Sequence, residues 1–121
     1  MALYTYSQPL GSVLIVHCEG RIVFGEETTS LRLFVMDLLN KSNQIVLDLG
    51  RVSFIDSGGL GALVSLYVSA RRLGGTIKLA RLQSQVNDLL QLSKLAALLE
   101  IFDSAEDAAA SFSTETGRAH A

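Results

Sequence analysis

The chain has 121 residues, with ten Lys+Arg against twelve Asp+Glu and a formal charge of −2, a length that fits one domain needing no disulfide or metal staple. Hydrophobic residues make up 49% but aromatics only 7%, with no Trp, so aliphatic side chains must build most of the core. Near-neutral charge, with Arg71-Arg72 as the one close basic pair, excludes a general nucleic-acid binder.

Leu3–Tyr6 reads as a short strand ended by the turn-rich Ser7-Gln8-Pro9-Leu10-Gly11-Ser12. Val13–Glu19 follows, with Val13, Ile15 and His17 on one face and Leu14, Val16 and Cys18 on the other. Both faces are mostly apolar, so this strand is central and forms a hairpin with the first. Cys18 is the single cysteine. It has no partner for an internal disulfide or a thiolate cluster, and its apolar run marks it as a buried structural thiol. Glu26 and Glu27 open the first helix at the positive end of its dipole, and Leu31, Phe34, Val35, Leu38 and Leu39 recur at helical spacing up to Asn40-Lys41-Ser42-Asn43. Gln44–Leu49 is a compact buried strand that stops at Gly50.

The second helix starts near Ser57, with Leu60, Leu63, Val64, Tyr67 and Val68 on one stripe, Arg71 and Arg72 in its last turn and Gly74-Gly75 as its stop. Thr76–Ala80 is a strand. Ser84 precedes a third helix carrying Val86, Leu89 and Leu90, which Leu95–Leu99 continues after a break. Ile101-Phe102 is a short edge strand, and Ser104 caps a last helix, Ala105–Phe112. The alternation implies right-handed crossovers and a mixed sheet with parallel pairs. The expected organisation is one α/β domain over residues 1–112 and a flexible tail over 113–121. No apolar run approaches the length of a membrane span, and the N-terminus lacks the basic and apolar regions of a signal peptide. A cytoplasmic protein without membrane insertion is expected.

One segment carries specific chemistry: Val52-Ser53-Phe54-Ile55-Asp56-Ser57-Gly58-Gly59-Leu60-Gly61, which joins a strand to an amphipathic helix. Asp56 and Ser57 are good N-cap residues, and the glycines remove bulk where the helix begins. A well-capped, tightly packed helix start explains these residues without any function. The functional reading adds that small neighbours leave the Ser57 hydroxyl accessible. A phosphate there would carry about −1.5 to −2 charge at a helix N-terminus, where amide groups and the dipole favour it.

These residues carry a family resemblance. Phe54-Ile55-Asp56-Ser57-Gly58-Gly59-Leu60-Gly61, preceded by Ile45-Val46-Leu47-Asp48-Leu49 and followed by Gly74-Gly75, resembles the STAS domain of bacterial anti-sigma factor antagonists over roughly residues 3 to 112. The resemblance implies a mixed sheet of four to five strands with about four helices packed mainly on one face. It implies a regulator rather than an enzyme, with no cofactor or metal. Ser57 maps onto the phosphoacceptor serine, and Asp56, Ser57, Gly58, Gly59, Leu60 and Gly61 onto the partner-facing surface. The implied partners are an anti-sigma factor that is also a serine kinase, released on phosphorylation, and a phosphatase that resets Ser57. Many antagonists carry Gly-Glu-Leu-Asp where this chain has Gly20-Arg21-Ile22-Val23, so Val23 replaces an acidic residue and Arg21 reverses a charge. Gly58 stands where a second serine often follows the phosphoacceptor.

Other chemistries find less support in the residues. Ser57 is not in a Gly-x-Ser-x-Gly elbow, and the two histidines are His17, in a strand, and His120, in the tail. Neither has a ligand-spaced partner for a metal. The P-loop Lys-Ser/Thr and the Gly-x-Gly-x-x-Gly spacing are both absent, which disfavours direct nucleotide binding. The competing reading is a non-switching scaffold, or a cytoplasmic accessory subunit of a signalling or membrane-transport complex, using the same fold to dock.

Overall fold

The computed structural model describes residues 3–120, with side chains through residue 113. Its elements in chain order are β1 (Leu3–Leu10), β2 (Val13–Ile22), α1 (Glu26–Leu39), β3 (Gln44–Ile55), α2 (Ser57–Arg72), β4 (Thr76–Ala80), α3 (Ser84–Leu92), a 3-10 turn (Leu95–Ala97), β5 (Ile101–Phe102) and α4 (Ala105–His120). The five strands form one sheet in the order β1-β2-β3-β4-β5. β1 is antiparallel to β2, and every later pair is parallel. This is the mixed α/β sheet with four helices that the sequence predicts.

Alternation along the strands separates two cores. Val16, Cys18, Ile45, Leu47, Leu49, Ile77 and Leu79 point to the face covered by α1, α2 and α3, where Leu31, Val35, Leu63, Leu66, Val86 and Leu90 meet them. Val13, Ile15, Val46 and Ala80 point the other way and pack on Ala105, Ala108, Ala109 and Phe112 of α4. Lys78 is fully buried beneath that helix. Its ammonium donates to Ser111 Oγ at 2.7 Å, faces Glu100 at 3.6 Å and lies 4.3 Å from the centroid of the Phe112 ring. A buried cation needs such partners, and here they tie α4 to the sheet.

Four boundaries differ from the expectation. β1 continues through Pro9 to Leu10, which an edge strand tolerates because proline's missing donor takes nothing from the sheet. The hairpin turn is only Gly11-Ser12, with Gly11 at φ +62 as a two-residue loop of this kind requires. β3 does not stop at Gly50 but runs to Ile55, because β2 also continues and pairs with it through Ile22. Finally, α4 passes Phe112 and extends through His120, so most of the expected tail is helical; no proline interrupts it. Ala121 lies outside the described residues.

The apolar stripe of α2 is also displaced. The buried residues are Gly59, Ala62, Leu63, Leu66 and Ala70, whereas Leu60, Val64 and Tyr67 are half-buried and Val68 is exposed. Small residues let α2 approach closely, and the larger ones sit at its rim.

Candidate functional site

The extension of β3 carries the chain to Asp56, where strand gives way to α2. Asp56 is the N-cap, with extended φ −91 and ψ −178. Its Oδ1 accepts the Gly59 N–H at 2.7 Å, and its carbonyl accepts the Leu60 N–H at 2.9 Å. A second clamp comes from the loop between β2 and α1: the Phe24 N–H lies 3.1 Å from both Asp56 carboxylate oxygens, while the Asp56 N–H donates to the Ile22 carbonyl at 3.3 Å. The amides of Gly59 and then Phe24 hold the Asp56 carboxyl below its ordinary range. The cap is therefore a carboxylate at neutral pH, at the helix end where negative charge is favoured.

Ser57 is the first residue of α2 and is exposed. The glycines after it have separate steric causes. A Cβ on Gly58 would collide with Cβ of Phe24, and a Cβ on Gly59 would strike the Ile22 carbonyl. Gly61 has open space around it. Thus Gly58 is required by the seating of the β2–α1 loop, and Gly59 by the end of β2, on the start of α2, while Gly61 is not. Of the six expected site residues, Ser57 and Gly61 are exposed, Asp56, Gly58 and Leu60 are half-buried, and Gly59 is buried.

Phe24 is the residue that sequence reasoning missed. It is 79% exposed, yet its backbone is fixed on Asp56. The available signal was an aromatic next to Gly25, which takes φ +120 as the N-cap of α1. Nothing in the linear pattern connects that loop to Ser57, because the contact is made across the sheet by the end of β2.

A second polar cluster lies elsewhere on the sheet. Tyr6, His17 and Asp48 are register partners across β1, β2 and β3. Asp48 Oδ2 lies 2.8 Å from His17 Nδ1; its Oδ1 accepts from Arg81 Nε at 2.8 Å and from the Gly50 N–H at 3.1 Å. His17 Nε2 lies 2.8 Å from Gln8 Oε1, and the Tyr6 ring stacks on the imidazole. Burial pushes the Asp48 carboxyl up, but the hydrogen bonds from Arg81, Gly50 and His17 outweigh it and hold it below its ordinary range. His17 thus has a clear partner that the sequence did not reveal. Arg81 reaches Asp48 from a left-handed backbone at φ 60, and its guanidinium would lie 2.6 Å from a Cβ on Gly50. This explains the glycine inside β3. A pocket of about 280 Å³ opens over the cluster. Behind it, Cys18 is buried, and burial followed by the Asp48 charge pushes its thiol up to about 12; it is chemically inert at neutral pH. Among the described residues no group of His, Cys, Asp or Glu is arranged to hold a metal, and no helix is long and apolar enough to cross a membrane.

Comparison with known proteins adds four likenesses. A family profile described as the STAS domain matches residues 7–108. The Anti-sigma F factor antagonist of Paenibacillus polymyxa is 31% identical over 94 residues, covering 75% of this chain and 79% of that protein. BtrV of Bordetella bronchiseptica, named as a candidate anti-sigma factor antagonist, is 26% identical over 106 residues, covering 87% of this chain and 91% of the other. Among solved structures, a Thermotoga maritima protein described as a candidate anti-sigma factor antagonist superposes with a TM-score of 0.78 at 28% identity, covering 86% of this chain and 90% of that one.

Proposed function

The chain belongs to the STAS domain family and to its anti-sigma factor antagonists, and from that premise we propose that it works in the cytoplasm as a partner switch controlled at Ser57. The unmodified chain binds an anti-sigma factor that is also a serine kinase, and so frees a sigma factor for transcription. The kinase transfers the γ-phosphoryl group of ATP to Ser57 Oγ, leaving ADP and taking up the hydroxyl proton. The modified chain dissociates, and a phosphatase restores the hydroxyl by hydrolysis. In this role the chain is a substrate and a binding partner, and it catalyses nothing itself.

The observation that carries this reading is an exposed residue at the first position of α2, Ser57, beside a carboxylate cap already held by the Gly59 and Phe24 amides. A phosphate at this position gains from the helix dipole and costs no buried contact. It adds about two negative charges beside Asp56, taking a chain of −2 to roughly −4 with the whole change at one surface point. A partner fitted to the neutral hydroxyl then meets added bulk and like-charge repulsion.

The test uses the kinase partner recovered on the immobilised chain from the source organism. Ser57→Asp is expected to weaken its binding by about tenfold or more, the scale of a charge placed in an interface, while Ser57→Ala retains binding. Equal affinity of the wild type and Ser57→Asp in calorimetry would remove the electrostatic account.

A further inference from the structure

We infer that the exposed ring of Phe24 is a specificity-determining residue for phosphorylation at Ser57, read by an apolar pocket in the kinase partner; the inference rests on the reading of Ser57 as the phosphoacceptor. The ring is 79% exposed, and single exposed aromatics are ordinary on a protein surface. Phe24 differs in what fixes it. Its N–H is held by both oxygens of Asp56, and the next residue, Gly25, is tied to Thr28 by the Gly25 N–H donating to Oγ1 at 3.1 Å and Oγ1 donating back to the Gly25 carbonyl at 3.0 Å. A large apolar group is thereby presented on an ordered backbone, so little main-chain freedom remains to be lost on binding.

Its position gives the ring a role. The Phe24 side chain lies directly over Gly58, within 3.0 Å of where a Cβ on that residue would stand. It is thus beside the residue that follows Ser57, and an active site closing on the Ser57 hydroxyl must also accommodate the ring. Rigid aromatic anchors near the centre of a contact are the residues that dominate interface energetics. Val23, half-buried beside Phe24, adds a second apolar side chain on this side of Ser57.

The main chain and the side chain of Phe24 can be tested separately. The clamp on Asp56 uses the N–H, which every residue except proline retains, and Ala also keeps the Cβ that faces Gly58. Phe24→Ala therefore removes the ring alone. The experiment measures initial rates of Ser57 phosphorylation on the full chain, with ATP and the kinase-active fraction of the source organism's soluble extract, while the chain concentration is varied. Phe24→Ala is expected to raise KM on the order of tenfold with kcat and melting temperature unchanged, and Phe24→Tyr to restore the wild-type KM. Equal KM for Phe24→Ala and the wild type would overturn the inference and leave the Ser57 reading standing. A lowered melting temperature in Phe24→Ala would also overturn it, since the ring would then be structural. If the wild type itself takes no phosphate on Ser57, the underlying reading fails and the inference falls with it.

Discussion

Asp48 and Asp56 lie on the same strand and its exit, and both carboxyls are held below their ordinary range, but by different means. Asp48 has a side chain only 3% exposed and depends on other side chains, Arg81 and His17, besides one amide. Asp56 is held by main-chain N–H groups from Phe24 and Gly59. A site built from the main chain keeps its geometry when neighbouring side chains change, provided that the glycines remain. The Asp56–Ser57 cap therefore keeps its geometry with Arg21, Val23 and Phe24 beside it, and those side chains can change without loss of the cap. The Asp48 cluster has no such freedom, since removing one member strands the others.

The largest expected effect concerns the sheet that both regions share. Leu47 is fully buried in β3, and Leu47→Ala should cost about 2–5 kcal/mol in urea unfolding through the cavity left behind; a cost under ~1 kcal/mol would mean that the strand supporting both carboxylates is not packed as described. Asp48→Ala comes next, at about 2–3 kcal/mol, because it leaves the His17 and Arg81 groups without their acceptor. The effect depends on pH with a definite sign. A carboxyl with a folded pKa below its unfolded value stabilises above the unfolded value and loses that contribution as pH falls through the folded one. Asp48→Asn should accordingly flatten the acid limb of the stability curve, and an unchanged acid limb would show that the cluster does not hold the charge. Gly59→Ala should cost about 1–3 kcal/mol by overpacking against the Ile22 carbonyl, whereas Gly61→Ala, with open space around it, should be neutral or slightly stabilising through better helix propensity. Equal effects of the two glycine substitutions would break the claim that the end of β2, packed on the start of α2, dictates the glycine at 59.

Much of this molecule is legible in its sequence, and the failures have physical causes. The strand–helix order, α1, β4, the Ser104 cap and the placement of Asp56 and Ser57 at the start of α2 all follow from local patterns. Gly50 misleads because a glycine within a strand reads locally as a stop, whereas its cause is the guanidinium of Arg81, the residue just after β4. Pro9 misled because only the sheet order shows that β1 is an edge. The α2 stripe misleads because large apolar residues suggest the buried face, while the closest packing uses Gly59, Ala62 and Ala70. The His17–Asp48–Arg81 cluster and the Phe24 clamp join residues about thirty positions apart, and such contacts have no signature along the chain.

The central claim, that the main-chain-built site and not the side-chain cluster is where regulation acts, is tested most directly by phosphosite mapping of the chain isolated from its native cells. The account predicts phosphate on Ser57, present in the fraction free of the kinase partner and absent from the fraction bound to it. Phosphate on Ser57 at equal occupancy in both fractions, or none on Ser57 in either, would contradict it.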